Sequence, residues 1–173
     1  QGTHTHMHHH RLCLRVQEVL GLPLPGASQR DSFAIRFDAS FQEELQQSAL
    51  YPTGGKIHLK ELGGLLEWMV PVAELQRRAA RKEKIKLNVI LHNQDTQEED
   101  VLGYVMLMLR STTQDGNPGE LQSLKGSQHQ RYGAREAPKV RAQLVVEGAE
   151  ESLREEAEAS GIGGAAAASS SRG

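Results

Sequence analysis

Between residues 11 and 19 the chain reads RLCLRVQEV, with Leu12, Leu14 and Val16 on one face and Cys13, Arg15 and Gln17 on the other. A period of two predicts a half-buried strand. The next stretch, GLPLPGASQRD, carries Pro, Gly and Ser and predicts a loop. SFAIRF then places Phe33, Ile35 and Phe37 on one face of a second strand. SFQEELQQSAL, 40–50, fits either a strand or a short helix, and YPTGG predicts a turn. KIHLKEL alternates weakly and fits a strand or a loop, while LLEWMV predicts a strand containing Trp68.

The period then changes. In PVAELQRRAARKEK, Pro71 suits a first helical turn. Val72, Leu75 and Ala79 fall at helical spacing, and Arg77, Arg78, Arg81 and Lys82 share the remaining face of the predicted helix. IKLNVIL returns to strand period with Ile85, Leu87, Val89 and Leu91 in register. After the acidic stretch NQDTQEEDVLG, Gly103 opens GYVMLMLR, so poor in polar residues that both faces of the strand are expected to be covered. Residues 111–137 read mostly as loop around a short LQSL strand, and KVRAQLVVEG closes the body with Val140, Ala142, Leu144 and Val146 alternating. About eight short strands and one helix predict an all-β, antiparallel eight-stranded sandwich with one short helix inserted between strands.

Composition refines this picture at the ends. Residues 1–10, QGTHTHMHHH, have no apolar period and are expected to form a disordered, His-rich leader; the body is 11–148. In 149–173, AEESLREEAEAS carries five Glu against one Arg, and an Ala/Gly/Ser-rich run follows. It reads as a linker, acidic and then low in complexity. A formal charge of −2 gives no general field for nucleic acid. A lone cysteine fits a reducing compartment. No run approaches the roughly 20 apolar residues of a membrane span, and the polar N-terminus shows no signal peptide. The expectation is a soluble, cytoplasmic protein or fragment.

Candidate chemistry is sparse. No nucleophile triad stands out, and His58, His92 and His129 lack zinc-ligand spacing. Neither a phosphate-binding nor a dinucleotide-binding fingerprint occurs. No enzyme, cofactor or small-molecule substrate is expected. Trp68, Tyr104 and Met106 are expected in core or half-core positions. The basic run Arg77, Arg78, Arg81, Lys82, Lys84 and Lys86 is the strongest charged feature and the leading partner-binding candidate. Lys56, His58 and Lys60 alternate along a possible strand, so Lys56 and Lys60 are candidates for contact with lipid or an acidic partner.

A sandwich with an acidic loop, D-x-x-G and an apolar strand resembles a C2 domain. Calcium-binding members of that family use five acidic positions on two loops, as a cation with six to eight oxygen ligands requires. Onto those positions Asp31 falls in GLPLPGASQRDSF, Asp100 falls three before Gly103, and Asn93 and Asp95 fall on the paired acidic places if the loop is one residue short. Asp31, Asn93, Asp95 and Asp100 thus form a degenerate set, and no metal is expected to be held. LLEWMVPVAELQRRAARKEKIKLNVIL and VLGYVMLMLRS, with L-x-x-L and KVRAQLVVEG following, are similar to the N-terminal C2 domain of the family of the centrosomal protein of 120 kDa. The Trp usual before L-x-x-L is replaced here by Gly119-Glu120. The resemblance implies a calcium-independent protein-interaction module of a scaffold at centrioles and basal bodies, needed for centriole assembly or elongation and for ciliogenesis. It also implies tubulin and centriolar proteins as partners. The alternative is a phospholipid-binding C2 domain recruited to membranes through Asp31, Asp95 and Asp100 with calcium, or through Lys56 and Lys60 without it.

Overall fold

The computed structural model describes residues 8–22, 33–53, 65–110 and 119–148. Nine strands are present among them, against the eight expected. They are β1 (His9–Leu20), β2 (Phe33–Phe41), β3 (Glu44–Gln47), β4 (Tyr51–Pro52), β5 (Leu65–Pro71), β6 (Lys84–Asn93), β7 (Glu99–Met108), β8 (Leu121–Ser123) and β9 (Lys139–Glu147). Among the same residues one α-helix, α1 (Val72–Ala80), joins β5 to β6, and a 3₁₀ turn covers His129–Tyr132. One sheet has the order β5-β1-β9-β8. The other has the order β3-β2-β6-β7, with β4 also paired to β2. All the strand pairings are antiparallel.

The extra strand comes from two places where side-chain pattern is a weak guide. SFQEELQQSAL is neither one strand nor a helix. It ends β2, turns at Gln42 and Glu43, both at positive φ, and returns as β3. Two consecutive positive φ values make the tight hairpin turn that usually selects Asn or Gly, and neither is present. Tyr51–Pro52, read as a turn, makes a two-residue strand against Ala34 and Ile35. β1 begins at His9, so His9 and His10, assigned to the leader, pair with Pro71 and Val70. KIHLKEL, with Lys56, His58 and Lys60, lies outside the described residues.

The two sheets bury the alternating residues foreseen in β1 and β6, and most of those in β2 and β9, where Phe33, Leu144 and Val146 are only half-buried. Leu12, Leu14, Ile35, Phe37, Leu87 and Val89 are all at most 1% exposed. Trp68 lies in the same core, donates its indole N–H to the Glu44 carbonyl at 2.9 Å and meets Phe41 edge to face. Cys13 is also buried, although it points away from the core. It pairs between Glu67 and Val145 beneath ion pairs joining Arg11 to Glu67 and Glu147. Burial pushes its thiol up to about 12, so it is a packed side chain rather than a nucleophile.

β7 departs from expectation. It starts at Glu99, not Gly103, and only one face is fully covered. Leu102, Val105 and Leu107 are buried, Tyr104 and Met106 are half-buried, and Met108 is 43% exposed. The apolar run reflects the long flexible Met side chains on the outer face. Gly103 lies mid-strand, beside an extra residue that shifts the register between Val89 and Ile90. A Cβ there would lie 2.8 Å from the Leu124 Cβ. This glycine lets the chain after β8 cross β7 closely.

Candidate functional site

Opposite ends of β6 carry the two charged features singled out from the sequence. At its far end, the β6–β7 hairpin is closed by its own polar groups. The Asn93 side-chain oxygen accepts the backbone N–H groups of Asp95 (2.8 Å) and Thr96 (3.1 Å). The Asn93 backbone bonds Glu98 and Gln97. Gln97 takes the positive φ that lets the hairpin turn. Glu99 accepts a two-pronged bond from Arg36 and a 2.9 Å contact from His92 Nδ1. The Arg36 guanidinium, with help from His92, holds the Glu99 carboxyl below the usual carboxylate range. Asp100 accepts the Tyr132 hydroxyl at 3.3 Å. Burial and the nearby Asp100 charge push that phenol up.

These groups fan out along the hairpin rather than converging. Among the described residues no group of three or more His, Cys, Asp or Glu side chains is arranged to hold a metal ion. Asn93, placed among the degenerate calcium positions, spends its amide oxygen on the turn. Asp31, expected to complete the set, lies outside the described residues.

At the near end, α1 is shorter than the predicted helix face. Leu75 is its buried anchor, and Val72 accepts help from outside: its N–H reaches the His8 carbonyl at 3.0 Å. The helix stops at Ala80. Lys82 takes φ 59°, its N–H bonds Ala79, and the Glu83 N–H bonds Arg78. This is the doubly bonded helix end in which a left-handed residue normally is Gly. Arg81 and Lys82 therefore lie past the helix, and Lys84 and Lys86 stand on the outer face of β6, so the six basic residues do not form one helical stripe.

They also divide by partner. Arg77 and Arg78 both bind Glu74, and Arg78 reaches Glu83 as well. The two arginines hold the Glu74 carboxyl down at about 2. The Arg78 guanidinium sits 5.2 Å from the Phe41 ring centroid, which clamps α1 onto the sandwich. Lys86 lies 4.3 Å from the Tyr104 centroid. Arg81, Lys82 and Lys84 are exposed and make no ion pair among the described residues.

Two further cations, not singled out from the sequence, join them. The Leu109 N–H bonds the Glu83 carbonyl, which brings Arg110 beside Lys84. A backbone bridge between Tyr104 and Lys125 brings Lys125 to the same side. Lys84, Arg110 and Lys125 rim a slot of about 440 Å³ between the β7 edge and the β8–β9 side of the other sheet. Glu120 is the acidic residue on its lining. Only chain reversal through β7 joins Arg110 and Lys125 to the run at 77–86, so no local spacing could reveal them.

The same arrangement explains the Gly119 departure. A Cβ at Gly119 would lie 1.8 Å from the Ala142 carbonyl oxygen. Its N–H is held by Gln17 and its carbonyl by Arg141, so no larger residue fits this approach.

No protein-family model matches the sequence, and no curated protein matches it significantly. Among solved structures, a C2 domain of plant extended synaptotagmin 1 aligns over 80% of this chain and 94% of its own, with a TM-score of 0.50 at 11% identity. The chain has the C2 fold. Human GIVD cytosolic phospholipase A2 aligns over 82% of this chain but 16% of its own, with a TM-score of 0.47 at 11% identity. In this C2 fold, β6 pairs with β2 at Asn93↔Phe33, so the acidic hairpin stands beside the start of β2. The cationic slot stands at the other end, beside Lys84 at the start of β6.

Proposed function

We propose that this C2 domain is a calcium-independent interaction module that binds an acidic protein partner through Arg81, Lys82, Lys84 and the neighbouring Arg110 and Lys125. The observation that carries the reading is the contrast in bonding. Asn93, Glu99 and Asp100 of the hairpin are occupied by the fold, whereas these cations make no ion pair among the described residues, and Glu120 is the one acidic side chain on the slot they rim. Each Lys or Arg near a strongly charged surface contributes about 1 kcal/mol. Several together support useful affinity only if their charge is not already neutralised at home. Taken with the resemblance in the GYVMLMLR and KVRAQLVVEG stretches, the module belongs to a centriolar or basal-body scaffold, with the acidic tails of tubulin as the partner. Its place would then be the centrosome or the base of the cilium.

Co-sedimentation with tubulin in excess chelator tests this. Wild-type protein is expected to bind and to be released by salt. Tubulin stripped of its acidic tails, or the triple variant Arg81→Glu, Lys82→Glu, Lys84→Glu, is expected to bind about two orders of magnitude more weakly. Full binding by that variant would dismiss the cationic end. The second reading, membrane recruitment, draws on the same cations. It predicts flotation with anionic vesicles at physiological salt, and flotation without tubulin binding would put it first.

A further inference from the structure

The proposed function names an acidic partner but not how it is held. The hydrogen-bond register of β7 supplies a mode. Tyr104 directs both its N–H and its C=O away from β6, to the Lys125 backbone at 3.0 and 2.7 Å. The Leu109 N–H, by contrast, points inward to Glu83. Groups alternate along an antiparallel strand, so Met106 and Met108, like Tyr104, turn their backbone away from β6. The Met106 carbonyl meets the Gln122 side-chain amide at 3.3 Å. The Met106 N–H and both backbone groups of Met108 face the slot with no partner among the described residues. An edge with no strand paired to it among the described residues is a template for another strand.

We propose that the β7 edge at Met106–Arg110 takes up an extended acidic segment of a partner protein as an added β-strand. The inference rests on the cationic-end reading and deepens it. Main-chain bonds to Met106 and Met108 would supply register, and alternate side chains would supply selectivity. One face of the added strand would lie beside Met106 and Met108, whose thioether side chains adapt to varied neighbours. The other would enter the slot towards Gln122, Ala142 and Leu144. Lys125 and Arg110 stand near the two ends of this edge, which spans about 20 Å from Tyr104 to Arg110. The matching ligand is therefore extended, acidic at both ends and apolar or small between. Lysines on an edge strand usually repel added strands. Here the cations lie on β6, beyond β7 and across the slot, so they flank the edge without blocking it.

The probe is the synthetic peptide EEVTVTEE, compared with the same peptide N-methylated at its valines. Methylation keeps every charge and removes strand donors. Fluorescence anisotropy gives affinity, and amide hydrogen exchange reports on Met106 and Met108. The unmodified peptide is expected to bind and to slow exchange at both amides. N-methylation is expected to weaken binding about tenfold. Met108→Pro, which removes an outward-facing donor that an edge can spare, is expected to do the same. Equal affinity for both peptides with unprotected amides would overturn the added strand and leave the cationic end standing. No binding of either peptide together with no co-sedimentation would remove both. Amides already protected in the full chain, and released by deleting residues 149–173, would show that its own Glu-rich segment fills the slot. That result also overturns the partner strand.

Discussion

At the β6–β7 hairpin, Asn93, Glu99 and Asp100 each bond a neighbour that the fold needs, and Arg36 is shared between Glu99 and Asp38. At the start of the same strand, Lys84 rims the slot, and it, Arg81 and Lys82 make no ion pair among the described residues, while Arg77 and Arg78 one turn earlier are paired. Both ends look equally charged in the sequence. Only the structure distinguishes charge that closes a turn from charge that no described residue neutralises. The distinction follows from what each residue can reach, since a carboxylate already accepting two or three hydrogen bonds has little left to offer a cation.

The largest expected difference between the ends is in binding. Reversing Arg81, Lys82 and Lys84 should weaken tubulin binding by about two orders of magnitude, from roughly 1 kcal/mol per cation. Its midpoint of thermal unfolding should shift little, because these exposed side chains hold nothing in place. At the hairpin the pattern should invert. Arg36→Ala leaves Glu99 and Asp38 without their shared cation and should cost about 1–3 kcal/mol in denaturant unfolding, with tubulin affinity unchanged.

A smaller effect should separate stability from function at one residue. Lys82 holds a left-handed conformation that Gly adopts without strain. Lys82→Gly should raise stability by about 1 kcal/mol and weaken binding several-fold, read as a higher melting temperature beside a reduced co-sedimented fraction. Smaller still is the pH dependence of α1. The Glu74 carboxyl lies below its ordinary 4.5, at about 2, because Arg77 and Arg78 hydrogen-bond its charged form. Its contribution is therefore fully present above about pH 4.5 and is lost as pH falls through about 2. Melting curves of wild type and Glu74→Gln should differ by a constant amount above that window and converge below it. The gap should be small, since exposed pairs are well screened.

Much of the fold was legible because period-two alternation directly reflects which face meets the core. Leu12, Leu14, Ile35, Phe37, Leu87 and Val89 lie where that pattern put them. It failed where side chain and burial part company. Met106 and Met108 are apolar yet line an outer face, and Cys13 is buried on the polar face by the ion pairs above it. The helix end was missed because Lys82 occupies a position that usually announces itself as Gly. Gln42 and Glu43 hid a hairpin turn for the same reason. Of the candidate site, Arg81, Lys82 and Lys84 were visible as a run. Their separation from Arg77 and Arg78 depends on Glu74 lying one turn earlier. Arg110 and Lys125 depend on strand pairing, which spacing along the chain does not encode.

The most direct test is one titration of tubulin with the C2 domain, first in excess chelator and then in millimolar calcium, for wild type and for the Arg81→Glu, Lys82→Glu, Lys84→Glu variant. The expected result is equal wild-type affinity in both conditions and a loss of about two orders of magnitude in the variant. Binding that appears only with calcium, or that survives the triple reversal, would contradict the assignment of function to the cationic end.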